Sequence, residues 1–213
     1  AHKAGKNIMF EAQLGALRDI DFGIYPYTSS SSTIAAYAPI GAGVPNLKLD
    51  KSVGIMKAYS TCVGEGPFTA EYFGEPAEKL RAAGGEYGAA TGRPRRVGPF
   101  DVVASRYGIR CQGADEIALT KLDVLSGYEE LEICTAYELN GKRITEFPFP
   151  DALDQCKPVF EKVKGWNCDI SACRTYEDLP KEARDYVELI EKLCECKITY
   201  ISVGAERDQI VIR

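Results

Sequence analysis

The sequence has a single histidine, His2, close to one end. That scarcity removes imidazole-based general-base and triad chemistry from this chain acting alone. Eight cysteines are present, but no two stand as C-x-x-C, and no histidine lies at zinc-ligand spacing from any of them. Reduced thiols acting as small hydrophobes are therefore expected, along with a reducing, cytoplasmic setting. No apolar run approaches the roughly 18 residues of a membrane span, and AHKAGKNIMF lacks the three-part pattern of a secretory signal. The chain also lacks an excess of basic residues: 26 Lys and Arg face 31 Asp and Glu, for a net charge of −5. That balance argues against a nucleic-acid partner and confines any anion site to a local basic patch on an acidic body. No G-x-x-x-x-G-K phosphate loop is found.

What is present is the composition of a globular chain. Its 213 residues are 45% hydrophobic and 27% charged, enough for a substantial core. Strand-like and helix-like stretches alternate, which predicts an α/β fold with a mixed, mostly parallel sheet flanked by helices. Strands are expected at Ile8–Phe10, Ser52–Tyr59, Glu116–Thr120, Ile198–Val203 and Gln209–Ile212. Asn140-Gly141 joins two further apolar segments into a predicted hairpin near residues 130–147. Helical character runs from Thr69 to Ala83, interrupted by Gly74 and Pro76, with Ala70, Phe73, Leu80 and Ala83 as core candidates. Further helices are expected over Phe100–Cys111 and Pro180–Glu195, the latter with Asp178 as its cap. No internal repeat or linker divides residues 1–213.

Three segments could carry chemistry. Residues 84–98 combine glycines with Arg93, Arg95 and Arg96 and hold no acid after Tyr87. Glycine lets backbone approach a ligand, and arginine offers a planar fork for carboxylate or phosphate. The pattern suits either an anion-binding loop or a mobile, solvated one. Thr120-Lys121-Leu122-Asp123 ends a strand, where open α/β sheets place ligands. An aspartate there can accept two hydrogen bonds from guanine while the lysine stem lies over the ring. This resembles the guanine-reading element of GTP-binding proteins, with threonine in place of asparagine; a strand-end salt bridge is the simpler alternative. Ser202–Arg207 follows a strand and could wrap a base or simply turn, and the hydroxyl cluster Thr28–Thr33 could face a phosphate or solvent.

Taken in order, these pieces resemble the adenylosuccinate synthetase family across essentially the whole chain. Asp19–Tyr27 is similar to its DIDHGTYPY signature, with Phe22 at the histidine. Val63–Phe68 resembles its VGxGPF turn, Ala90–Arg96 its TTGRRRR loop, and Leu119–Leu125 a further motif. Glu146–Pro150 and Ser202–Arg207 continue in the family's order. The resemblance implies the C-terminal portion of a GTP-dependent ligase that joins IMP and L-aspartate, inactive alone and lacking an N-terminal half. That half would carry the phosphate loop, the catalytic groups and the Mg2+ ligands, and the full-length protein would be a homodimer. By the same resemblance Ser29, Val63 and Arg93 would bind IMP, and Thr91 and Arg93 would bind aspartate. Arg95, Lys121, Asp123, Ser202 and Gly204 would bind GTP. This chain supplies no metal ligand in that scheme. Departures accompany the likeness. Leu14 stands at a family glutamine with Gln13 one place early, and Ala90 and Pro94 replace threonine and arginine. Cys62 stands where arginine is common. A non-catalytic guanine-nucleotide module, or a paralogue kept only for its structure, is the alternative expectation.

Overall fold

The computed structural model describes all 213 residues. Up to residue 50 the chain is mostly irregular, with short 3-10 turns and one four-residue helix, α1 (Ala38–Gly41). Ile8–Phe10 is not the buried strand its composition suggests: Met9 is 89% exposed. Three apolar residues between Asn7 and Glu11 meet no strand edge, and strand backbone without a partner gains nothing over solvated coil. Residues 16–33 are organised instead by the buried carboxylate of Asp19. It accepts the amides of Asp21 at 2.9 Å, Phe22 at 3.0 Å and Thr33 at 2.5 Å. Burial would raise its pKa, but these backbone donors outweigh that and hold it below the usual value.

From residue 53 the elements are regular. They run β1 (Val53–Lys57), β2 (Ser60–Cys62), α2 (Glu75–Gly84), β3 (Arg96–Gly98), β4 (Phe100–Asp101), α3 (Val102–Gln112) and β5 (Glu116–Thr120). There follow β6 (Glu130–Leu139), β7 (Lys142–Ile144), β8 (Lys157–Lys164), α4 (Lys181–Cys194), β9 (Ile198–Ser202) and β10 (Ile210–Ile212). The strands form three sheets. The principal one has the order β1-β5-β9-β10, parallel except for antiparallel β10. Strands β2 and β3 form an antiparallel pair. In the third sheet β8 covers one edge of β6, while β4 and β7 lie in tandem along the other.

Ile117 and Leu119 of β5 and their register partners Ile198 and Ile201 of β9 are wholly buried and share one face of the principal sheet, within the main hydrophobic cluster. Helix α4 packs Ala183, Tyr186, Val187 and Ile190 into the same cluster, one residue per turn or so on one face. Its N-cap is Pro180, not Asp178; the Asp178 carboxylate instead accepts the amides of Arg174 and Thr175, closing the preceding turn. Helix α2 starts only after Gly74, whose φ of 63° suits glycine, and leaves Phe73 74% exposed rather than in the core. The predicted hairpin forms, with Asn140 at φ 52° and Gly141 at φ 74°, the left-handed pair of a type I′ turn. All eight cysteines are free thiols. No helix is long and apolar enough to cross a membrane.

Candidate functional site

The parallel register brings three strand ends together. Lys57 pairs with Thr120, and Leu119 with Ile201, so Lys57, Lys121 and Ser202 emerge along one carboxyl edge. Lys121 has a left-handed φ of 60° and caps the 3-10 turn Leu122–Leu125. That bend presents Asp123 beside it. Asp123 Oδ1 is buried without a hydrogen-bond partner, and burial pushes the carboxyl pKa up. Ser202 Oγ donates to the Gly204 carbonyl at 2.9 Å, so the two residues form one tight turn. A Cβ on Gly204 would lie 2.1 Å from Gln209 Oε1, whose amide also accepts from Glu206 and donates to the Ser171 carbonyl. Only glycine fits there without displacing that amide.

Residues 87–94 form a small β-like loop. Tyr87 bridges Pro94, Gly88 N donates to Arg93 O at 2.8 Å, and Gly92, at φ 64°, turns the tip. The three arginines serve different ends. Arg93, with Thr91, is exposed at the tip and enters no ion pair. Arg95 turns inward to Glu86 at 2.9 Å. Arg96 grips both oxygens of Glu71, at 2.9 and 2.5 Å, lies over the Phe68 ring, and donates to Gly66 O at 2.7 Å. It is therefore a structural arginine.

Glu86 joins these parts. Its side chain is wholly buried, and Oε1 accepts from Tyr59 at 2.5 Å, Lys57 at 2.9 Å and Lys121 at 3.1 Å, while Oε2 accepts from Arg95. Burial alone would raise its pKa; the bonds from Tyr59, Lys57 and Lys121 overcome that and hold it at about 2. Lys121 thus pairs with Glu86, not with its neighbour Asp123.

Ser29 and Val63 lie elsewhere, in an open concavity of about 1860 Å³ on the face that also carries the outer side of β1. Ser29 N donates to the Arg18 carbonyl at 2.8 Å and its hydroxyl exchanges bonds with Ser31, while Val63 is 70% exposed. Gln13 and Leu14 line the same concavity, Leu14 at a left-handed φ of 72°. Of the expected residues, then, Ser29 and Val63 share the concavity. Arg95 and Lys121 share one carboxylate, with Asp123, Ser202 and Gly204 along the same sheet edge. Thr91 and Arg93 remain at an exposed tip. Lys57 belongs to both regions, since it lines the concavity and binds Glu86. Lys57, Tyr59, Glu86 and Arg18 were not singled out from sequence. For Glu86 a signal existed: it is the sole acid between Glu78 and Asp101. No group of three or more His, Cys, Asp or Glu side chains could hold a metal ion.

A family model described as adenylosuccinate synthetase matches residues 1–211. Curated relatives of that name include one from Pelobacter propionicus, 50% identical over 211 residues, covering 99% of this chain and 49% of the relative. Another, from Synechococcus sp., is 48% identical over 100% of this chain and 48% of its own length. The chain thus spans about half the length of the curated relatives it matches. Among solved structures, a fully ligated adenylosuccinate synthetase from Plasmodium falciparum superposes with a TM-score of 0.95 at 37% identity, covering 100% of this chain and 51% of that one. A cyanophage succinoaminodeoxyadenylate synthetase, at 17% identity and a TM-score of 0.54, shares the fold alone.

Proposed function

The chain belongs to the adenylosuccinate synthetase family, and from that premise we propose that it is the C-terminal part of a GTP-dependent ligase joining IMP to L-aspartate. In this reading N1 of IMP gives up its proton to a base outside this chain, and O6 attacks the γ-phosphorus of GTP and releases GDP. The aspartate amine then attacks C6, the C6–O bond breaks, and phosphate leaves with loss of an amine proton. The chain's contribution is positioning and charge stabilisation rather than proton transfer. Asp123 accepts the guanine N1–H and 2-amino group, the Lys121 stem lies against the ring, and Ser202 with Gly204 closes the pocket. Arg95 serves the nucleotide side of its loop. Thr91 and Arg93 hold the aspartate carboxylates, Arg93 reaching the IMP ribose as well, and Ser29 and Val63 meet IMP in the concavity. No three acidic side chains converge here, and it is the family resemblance that assigns the expected Mg2+ to residues outside this chain. Those same outside residues would cover the open β1 edge; homodimer formation and a cytoplasmic location belong to the same proposal.

The observation that carries the reading is the Asp123 carboxylate, half-buried beside Lys121 at the sheet's carboxyl edge and engaged in no salt bridge because Lys121 pairs with Glu86. Its two oxygens can accept from a ligand with two adjacent donors, which guanine has and adenine lacks. The test uses full-length protein. GDP, but not ADP, should raise its melting temperature, Asp123→Asn should erase the difference, and adenylosuccinate should form from IMP, aspartate and GTP. No product at saturating substrates would end the ligase reading. A guanine-binding module without catalysis is favoured in that case by one feature, Leu14 facing the concavity with its side chain 57% exposed.

A further inference from the structure

The hydrogen bonds of Glu86 reach both roots of the arginine loop. Lys121 Nζ donates to Glu86 Oε1 and also to the Gly84 carbonyl at 2.6 Å, where the loop begins. Arg95, where the loop ends, binds Glu86 through its side chain and through its amide, which donates to the Glu86 carbonyl at 2.9 Å. Arg81 Nε grips the Arg95 carbonyl at 2.9 Å. A Cβ on Gly84 would lie 2.4 Å from the Tyr59 hydroxyl, so even the route of the backbone accommodates the Tyr59–Glu86 bond. Between these anchors, residues 88–93 carry Thr91 and Arg93 free in solvent. Three cations against one carboxylate leave the cluster with surplus positive charge, and Arg95 Nε is buried without a partner. The arrangement therefore has slack that a ligand can take up.

We propose that Glu86 is a positioning residue that couples the guanine pocket to the arginine loop, so that a guanine nucleotide held by Lys121 and Asp123 orders residues 87–94. The inference rests on the guanine-pocket reading above. A ring packed on the Lys121 stem restricts Nζ to its Glu86 and Gly84 partners. Those bonds fix the start of the loop, and the Glu86–Arg95 pair passes the restraint to its end. A loop already ordered by one ligand costs the second less entropy, so nucleotide and aspartate bind with positive cooperativity, reciprocal by linkage.

Hydrogen exchange on the full-length protein, with and without GDP, tests this. In the wild type GDP should slow exchange at 121–125 and also at 87–94. In Glu86→Gln it should still protect 121–125 but no longer 87–94. The same substitution should raise the aspartate KM about tenfold, within the usual span of such couplings, and leave kcat nearly unchanged. A general loss of packing would instead lower kcat and protection everywhere. If Glu86→Gln does not fold, Glu86→Asp keeps the charge but is one methylene too short to hold Lys121 and Arg95 together, and should uncouple exchange at 87–94 in the same way. Protection at 87–94 that survives either substitution overturns the proposal, as does a GDP-bound wild type with protection at 121–125 only. A wild type in which GDP protects neither segment overturns the guanine reading itself and the coupling with it.

Discussion

Arg18 Nη2 stands 2.8 Å from the sulfur of Cys62. The same guanidinium donates to the carbonyls of Val63 and Glu65, each at 3.1 Å. From the other side Arg96 takes the carbonyls of Gly64 and Gly66. Four successive carbonyls of the turn are thus shared alternately between two arginines, and a guanidinium reaches position 62, where the family resemblance expects arginine, from position 18. Arg18→Met keeps the stem and removes the donors. Bonds to a charged, half-buried donor are worth about 1–2 kcal/mol here, so unfolding should shift modestly. If the turn presents Val63 to IMP, the KM for IMP of the full-length protein should rise about tenfold with kcat little changed. Initial-rate kinetics against IMP decide it, and an unaltered KM would remove Arg18 from the nucleotide site.

Arg93 and Arg96 share a motif but not a role, and single substitutions should separate them. Arg93 is exposed and enters no ion pair, so Arg93→Ala should leave stability within about 0.5 kcal/mol while impairing aspartate use. Arg96→Ala strands Glu71, which is only 14% exposed, and frees two turn carbonyls. Its cost should be about 2–4 kcal/mol, seen as a lowered urea midpoint. Equal melting temperatures for the two variants would contradict this division.

The contrast between those arginines marks how far the sequence is legible. Local patterns were sufficient where the cause is local. The apolar run Glu116–Thr120 forms β5 with those bounds, Asn140-Gly141 makes its turn, and Ala183, Tyr186, Val187 and Ile190 recur at the helical period. Ile8–Phe10 failed because a strand needs a partner edge, which no local window contains. Asp178 failed because an acid near a helix start has two sets of amides within reach, and it serves the earlier one. Glu86 had the same difficulty on a larger scale: its partners Lys57 and Lys121 are 29 residues before and 35 after it. The motifs picked out the candidate binding residues. They did not pick out the buried acid to which two of them, Arg95 and Lys121, are hydrogen-bonded.

Glu86 should also make the fold acid-sensitive. Its folded pKa, about 2, lies below the ordinary 4.5. A depressed carboxylate contributes stability that is complete above the unfolded pKa and is lost as pH falls from about 4.5 toward 2. Urea midpoints measured at pH 6 and pH 3 should therefore drop more steeply for the wild type than for Glu86→Gln, which carries no titrating group there. Parallel slopes would mean that the carboxylate is not held by its three cations in solution.

Asp101 should act with the opposite sign. It caps α3 by accepting the Ala104 amide at 3.0 Å and also accepts the Tyr137 hydroxyl at 2.6 Å. It is nonetheless buried, which outweighs those bonds and pushes its pKa up to about 6, above the ordinary 3.8. A raised carboxyl favours the protonated fold, so its contribution is complete below about 3.8 and is lost as pH rises through 6. The loss is on the order of 3 kcal/mol. Asn can still cap the helix and accept from Tyr137 without charge, so Asp101→Asn should flatten this segment of the stability curve. Relative to the variant, the wild type should lose stability between pH 4 and pH 7. A wild type that instead gains on Asp101→Asn as pH rises would show that the helix N-terminus and Tyr137 hold the carboxylate ionised.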